Sequence, residues 1–501
     1  MATPTSTEAT DSQLRRNRLG VVGIVFFVVA AAAPLVGMTG AVPVAIVAGN
    51  GAGAPGAYLF VGITLLLFSV GYATMSAHVT NTGAFFAYIG RGLGLVPGVA
   101  SAFVSLLAYL AIQLAIYGFF GVIMAGEMAQ YGITMEPYAW ALIAWALVFA
   151  LSWFSVDVGA WFLGILMSLE LASLLIVALA VFFHGGGPNG LDFGASFSPS
   201  AVFSMAPGIA LAFAFASFIG FEATAIYGEE ARDPKRAVPR ATYLAIGVIT
   251  VLFAMVSFAM VSGLGSATII DQVVKVTTID DVVLANPAAA LWAVSDQYVG
   301  TWLTGIMQWL VISSLFAGLL AFQNSSARYF FSLGRSRVLP RGAAKTNSFG
   351  SPATGSIITS LITAAVIIGF WMGKLDAFNA MFSWFSALSV LAIVLVEALV
   401  CIAVIAYFRK PGSGDSRPWN TLIAPVLAFI GLVYGEYLLA SKFGVLCPPV
   451  ANNPAAPADW DYTTTGWALV LSSVVVFVVG IFVAMARRDK ESQDAVRDLV
   501  S

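Results

Sequence analysis

Three carboxylates, two glycine-broken apolar runs and a polar aromatic stripe are where this sequence could do chemistry. Glu170, Glu222 and Glu397 each lie inside a long apolar run, and no Lys or Arg accompanies them at comparable depth. An ionisable side chain inside a membrane costs about 3 kcal/mol or more, so each is a functional candidate. A carboxylate in apolar surroundings with no cation partner can take up a proton, and so can carry one or neutralise a cationic solute. Each also has a plainer reading. Glu222 follows a break and can cap the amides of a helix that restarts there. Glu170 and Glu397 can be held neutral by a hydroxyl or a backbone group.

The breaks are Pro34-Leu35-Val36-Gly37-Met38-Thr39-Gly40-Ala41-Val42-Pro43 and Ser217-Phe218-Ile219-Gly220-Phe221-Glu222-Ala223. Backbone at membrane depth gives up helical hydrogen bonds only where it is buried in protein or faces a water-filled cavity. Paired interruptions in corresponding positions of two halves point to a solute-binding site. An interrupted helix leaves amides free at the start of its second half and carbonyls free at the end of its first. Free amides near Gly37 to Gly40, over Val36, Met38 and Thr39, could hold a carboxylate. Carbonyls around Phe215, Ala216 and Ser217 could hold an ammonium. The two together would suit a zwitterion. The alternative is a plain kink at Pro34 and Pro43.

Tyr109, Gln113 and Tyr117 recur every four residues and share one helical face. They line a cavity, or they pack between helices with their polar tips bonded. Phe215, Phe218 and Phe221 bracket the second break, where one could lid a solute beside Gly220. Ser313 and Ser314 would matter if a sodium ion were bound, by adding hydroxyls to carbonyls of the first run; serines at helix interfaces are common without that role.

The elements that must position these groups are membrane helices. Of 501 residues, 59% are hydrophobic and 10% charged, far from the globular norm. A net charge of −2 says little about partners, and no nucleic acid is expected among them. Cys401 and Cys447 have no metal spacing and make an unlikely disulfide. With His78 and His184 as the only histidines, neither a histidine-based catalytic or metal site nor a cofactor is expected. Gly49 to Gly56 imitates a phosphate loop but lacks the Lys-Ser/Thr ending and a preceding strand, and reads as an outer hinge.

Apolar runs predict twelve spans, at about 19–48, 56–77, 97–125, 138–156, 160–183, 201–228, 241–263, 298–331, 353–373, 378–408, 419–441 and 464–486. With the N-terminus inside, all but three of the 23 Lys and Arg fall on the cytoplasmic side, the exceptions being Lys275, Lys374 and Lys442. Both termini are therefore expected in the cytoplasm. Arg15, Arg16 and Arg18 before an apolar run also fit a cleaved signal peptide, and the matching break near Gly220 favours retention. Five spans is an odd number, so a repeat of spans one to five in six to ten must be inverted. The domain layout is a tail over 1–18, a core over 19–410 with repeats at about 19–183 and 201–408, spans eleven and twelve over 411–486, and a tail over 487–501. Spans eleven and twelve read as unbroken and apolar. Residues 78–96 read as an interfacial stretch. Segment 264–296 reads as one or two amphipathic helices over the outer mouth.

Two further stretches are distinctive. Gly228-Glu229-Glu230-Ala231-Arg232-Asp233-Pro234-Lys235-Arg236 with Pro239 follows span six, and Arg328 to Pro340 closes span eight. Together with Phe218-Ile219-Gly220-Phe221-Glu222 they resemble the signatures of the amino acid–polyamine–organocation (APC) superfamily, in its bacterial amino acid permeases. The likeness spans roughly residues 19 to 410. It implies an all-α integral membrane protein of twelve helices: a five-plus-five inverted repeat with helices one and six broken, and two C-terminal helices. It also implies alternating access, and a substrate carboxylate received by the backbone of Val36 to Gly40. The family's usual form there is Gly-Ser/Ala-Ile-Ile-Gly-Thr/Ser-Gly; here the glycines survive and their surroundings differ. Some proton-coupled members carry a lysine on span five where sodium-coupled relatives hold the ion. Span five of this chain has no lysine, and its one ionisable group is Glu170. The family suggests a gating or proton-linked role for Glu222.

The resulting expectation is a secondary transporter of an amino acid in the bacterial cytoplasmic membrane, proton-coupled and not an enzyme. Its partners are a small solute, protons and the lipid bilayer. Polyamine or cationic amino acid movement, and sodium coupling, are the alternatives within transport. A polytopic enzyme or receptor is the remote one.

Overall fold

The computed structural model describes residues 21–79, 84–154, 160–222, 233–412, 414–447 and 458–486. Among these the regular structure is helical, with two isolated β-bridges and no strand. Nine helices among the described residues are long and apolar enough to cross a membrane. One of these, Pro34–His78, turns a corner at Gly49–Gly53: its first part, with the helix Val21–Ala31 before it, covers expected span one, and its second part covers span two. Spans four and six appear as shorter apolar helices, Pro137–Trp153 and Pro207–Phe218. Span six starts later than hydropathy implied, because Pro199–Val202 forms a separate short helix and Pro207 opens the next. Tails 1–18 and 487–501, and Glu229, Glu230 and Arg232 of the span-six signature, lie outside the described residues.

The glycine run between spans one and two is a tight corner. Gly51 has φ 59°, and Gly49 leaves helical geometry at φ −105°, ψ −111°. A Cβ on Gly53 would strike the Ala201 carbonyl, and one on Gly49 would lie 2.9 Å from the Ala210 amide nitrogen. The corner is glycine-rich because the backbone before span six lies directly against it. Segment 264–296 holds the helix Ile269–Thr277, and a second, Ala289–Tyr298, follows. The first turns Ile269, Val273 and Thr277 inward at helical spacing and leaves Asp271 exposed.

Two sets of spans are held in different ways. Spans three (Leu95–Ala129), four, eight (Thr301–Arg335) and nine (Ala353–Met372) share a buried polar network. Gln113 Nε2 donates to Gln323 Oε1 at 2.9 Å, and Gln323 Nε2 donates to Ser360 Oγ at 2.9 Å and the Ser356 carbonyl at 3.2 Å. Ser152 Oγ donates to Asn324 Oδ1 at 2.8 Å, and Ser351 Oγ returns a bond to the Ser152 carbonyl at 2.6 Å. Spans two (Ala54–His78) and seven (Pro234–Leu264) instead meet by close packing, with Thr250 seated where Gly62 has no side chain.

Span eleven runs without interruption from a π-helical turn, Trp419–Ile423, into Ala424–Lys442, and Glu436 is the one acid along it.

Candidate functional site

The first break lies one turn before the place the glycines suggested. Helix Val21–Ala31 ends at Ala32, and Ala33 adopts a left-handed φ of 44°. The chain restarts at Pro34–Val36 and continues through π-helical Gly37–Ala41. The amides of Gly37 to Gly40 are thus within a helix: Gly37 N–H bonds the Ala33 carbonyl at 3.2 Å. Proline explains the shift. Pro34 has no N–H to give and its ring rejects a helical neighbour before it, so the helix gives way at Ala32–Ala33. The glycines serve packing instead. A Cβ on Gly37 would lie 3.2 Å from Ser217 Oγ, and one on Gly40 would lie 2.7 Å from Phe119 Cε1.

The second break falls where the sequence places it. Helix Pro207–Phe218 ends, Ile219 turns extended at ψ 128°, and Gly220 takes φ 115°. Only glycine adopts that conformation without strain.

Each break is held by a carboxylate. Glu170, on span five (Ala160–Phe183), accepts the Leu35 N–H at 2.7 Å and the Ser314 hydroxyl at 3.1 Å, both on Oε1. Leu35 is the first residue after the break able to donate, since it follows Pro34. Glu222 Oε2 accepts the Gly220 N–H at 2.9 Å, and its Oε1 accepts the Tyr109 hydroxyl at 2.8 Å. Tyr72 donates to the Glu222 carbonyl at 2.9 Å. Glu170 and Glu222 are 5% and 1% exposed, so neither is a surface group.

The two breaks also meet each other. Ser217 Oγ, opposite Gly37, donates to the Phe213 carbonyl at 2.8 Å and pairs with Tyr58 Oη at 3.2 Å. Thr39 Oγ1 turns back to the Leu35 carbonyl at 2.6 Å, and Met38 is fully buried. Val36 and Ala216 are half-buried beside them.

The remaining expected residues divide. Tyr109 joins the second break through Glu222, with Tyr329 edge-on at 5.4 Å. Gln113 belongs to the inter-span network. Tyr117 is buried below it, and among the described residues its hydroxyl has no hydrogen-bond partner. Phe218 stands edge-on to Phe253 at 5.6 Å, and Phe221 packs into the Phe68–Tyr72 cluster. Phe215 abuts Gly435 on span eleven. Ser313 Oγ turns back to the Leu310 carbonyl at 2.8 Å, while Ser314 supports Glu170.

Glu397 sits on Ser383–Phe408 and is 2% exposed. Among the described residues neither Glu397 Oε2 nor Glu436 Oε2 has a hydrogen-bond partner. Glu436 escaped sequence reasoning although the rule that selected Glu170, an acid inside an apolar run, applies equally to it. Tyr58 and Tyr72 also escaped, since no periodic stripe marks them.

A helical bundle that crosses the membrane repeatedly and buries two interrupted, carboxylate-held helices against each other has the build of a membrane transport protein. The sequence profile of the amino acid permease family matches residues 19–484, and the chain belongs to that family. The match continues through spans eleven and twelve, beyond the stretch that carries the signatures. Among relatives, a transporter of Mycobacterium tuberculosis is 26% identical over 62% of this chain and 64% of its own length. The chain thus spans just under two thirds of that relative. A branched-chain amino acid permease of Lactococcus lactis is 24% identical over 77% of this chain and 81% of its own. A chloroplastic cationic amino acid transporter of Arabidopsis thaliana is 22% identical over 84% and 68% respectively.

Proposed function

We propose that the chain is a secondary active transporter that moves an amino acid across the bacterial cytoplasmic membrane by alternating access, coupled to protons. Both termini face the cytoplasm. Residues 19–410 form the inverted-repeat core, and 411–486 pack against it. The solute binds between the two breaks, its carboxylate at the Leu35 amide that Glu170 holds and its ammonium near Phe215–Gly220.

One observation carries this reading: Glu170 Oε1 holds the Leu35 N–H at 2.7 Å. An ionised acceptor makes a bond roughly twice as strong as a neutral one. Proton uptake by Glu170 therefore loosens its hold on the restarted helix and frees an amide for the solute. Release of the proton reverses this. A proton and a solute carboxylate then favour the same state, which is the thermodynamic requirement for coupling. Glu222 acts in the same way on the second break, with Tyr109 as its second donor. Glu397 is the remaining proton-coupling candidate.

The test is uptake of labelled amino acids into liposomes holding the purified protein. An inward proton gradient should drive accumulation in the wild type. Glu170→Gln should cut that accumulation by about tenfold or more and flatten its pH dependence, while solute exchange without a gradient persists. Unchanged pH dependence in the variant would remove Glu170 from the coupling. Accumulation driven by sodium alone would replace the proton reading; Ser313 and Ser314 would then have to leave their present bonds.

A second reading is movement of a cationic amino acid or polyamine. It rests on Glu397 and Glu436, each of which has a buried Oε2 with no hydrogen-bond partner among the described residues. Competition of uptake by arginine and 1,4-diaminobutane, and not by leucine, would favour it. Substrate turnover without translocation would favour an enzyme.

A further inference from the structure

The basic stretch that closes span eight takes no part in the two breaks. It carries Arg328, Arg335, Arg337, Arg341 and Lys345, and no Asp or Glu lies between Asp296 and Asp376. Arg328, Arg335, Arg341 and Lys345 are exposed, and among the described residues none of these four makes an ion pair. Basic groups elsewhere find partners within the chain. Arg236 lies 3.8 Å from Asp233 and Arg417 lies 2.7 Å from Asp415. Lys410 Nζ donates to the Arg91 and Gly92 carbonyls at 3.0 and 3.2 Å. Membrane topology asks for Lys and Arg in such a loop; it does not ask that acids stay away, since acids contribute little to orientation.

The stretch is also held in one shape. Leu339 N–H bonds the Leu333 carbonyl at 2.9 Å, and the turn Arg341–Ala344 folds back on the end of span eight. A Cβ on Gly334 would lie 2.7 Å from the Ala344 nitrogen, so Arg335 and Lys345, the next residues along, start from adjacent backbone. At the far end, Asn347 Nδ2 donates to the Trp153 carbonyl at 2.7 Å and fastens the loop to span four. Phe349 is thereby set edge-on to Phe154, with ring centroids 5.3 Å apart, and the rings remain 54% and 53% exposed. Phe154 closes span four, and the loop joins spans eight and nine, so both rings stand where helices leave the bilayer. Exposed rings beside unanswered cations at that level suit a ligand with an anionic head and hydrocarbon chains. A soluble anion would use the cations and leave the rings idle.

We propose that residues 328–349, with Phe154, form a docking surface for an anionic phospholipid. Its phosphate lies among Arg335, Arg341 and Lys345, and its chains pass Phe349 and Phe154. The loop ties span eight to span four, so a lipid bound there stabilises the set of spans three, four, eight and nine from its rim. The surface is the same whichever side of the membrane it faces.

The experiment measures retained lipid. Purified full-length protein in detergent is mixed with equal amounts of phosphatidylglycerol, which is anionic, and phosphatidylcholine, which is not. Excess is removed by gel filtration, and the bound lipids are extracted and quantified. Wild type should retain phosphatidylglycerol in excess. Arg335→Gln, Arg341→Gln and Lys345→Gln together should lower the ratio of the two lipids about fivefold or more, and high salt should act the same way. Arg335→Lys with Arg341→Lys should keep most of the preference. Phe154→Ala with Phe349→Ala should lower the phosphatidylglycerol retained while every charge stays in place. All five positions are exposed, and melting temperatures without added lipid check that each variant is folded. Arg236→Gln, Arg240→Gln and Arg409→Gln remove the same charge from exposed positions elsewhere and should leave the ratio unchanged. An equal ratio in wild type and the loop variant overturns the proposal, and so does an equal fall in the control variant, which would make the effect one of net charge. Displacement of the lipid by millimolar glycerol 3-phosphate, with the phenylalanine variant unaffected, would assign the cations to a soluble phosphate and overturn the lipid reading.

Discussion

A carboxylate on the amide of a restarted helix does two jobs at once: it satisfies an orphan donor, and it makes that bond depend on a proton. Glu170 does this across two elements; Glu222 holds the Gly220 amide within the turn that ends span six. The difference has consequences. Glu222 bonds the amide of Gly220, two residues away, so its grip is local and survives rigid movement of the helix. Glu170 reaches from span five to span one, so its grip reports their relative position. Gly220 sets the geometry that lets Glu222 turn back. At φ 115° an alanine is strained by roughly 1–3 kcal/mol. Gly220→Ala should therefore melt earlier in a thermal-shift assay and lose uptake, because relaxing φ moves the N–H off the Glu222 carboxylate. A variant as stable as wild type with full uptake would show that the backbone at Gly220 tolerates another conformation and that the Glu222 bond is dispensable.

At the scale of elements, apolar runs made the spans legible, and a single proline shows where legibility ended. Hydropathy registers which residues seek lipid or protein, so the long helices stand within a few residues of expectation. It does not register which backbone bond breaks. The glycines of span one drew the break to Gly37–Gly40, whereas Pro34 moved it to Ala32–Ala33 and the glycines turned out to be packing sites for Ser217 and Phe119. Pairings between distant spans were not legible at all: nothing local to Gln113 or Gln323 marks them as partners 210 residues apart. Their bond separates the two readings of the stripe on span three. Gln323→Leu leaves the Gln113 amide, Ser356 and Ser360 without a shared partner and should cost about 1–3 kcal/mol of stability. Gln113→Leu combined with Gln323→Leu removes both ends of that bond and should recover part of the loss. Recovery of melting temperature and uptake together would assign Gln113 to helix packing. Recovery of stability with uptake still abolished would assign it to the solute path.

For the whole molecule, the distribution of charge makes the sharpest demand. In the expected topology Lys275, Lys374 and Lys442 stand alone on the outer side, and omitting a span from it would move every later basic loop across the membrane. Lys345 and Lys374 lie at opposite ends of span nine, and both are exposed. Only one helix separates them, so if Ala353–Met372 crosses the membrane they label from opposite sides, however the rest of the chain is arranged. Which side each takes tests the orientation, and the buried native cysteines leave the background low. In intact cells, Lys374→Cys should react with a membrane-impermeant maleimide, and Lys345→Cys only after permeabilisation. The reverse would invert the molecule. The corner at Gly49–Gly53 would then face the cytoplasm, and the basic loop after span eight would face outward against the charge rule. Labelling of both positions in intact cells would mean that Ala353–Met372 does not cross the membrane. The bond from Gln323 to Ser360 would then have to form outside the membrane, where water competes for it and the network would lose its hold on the four spans.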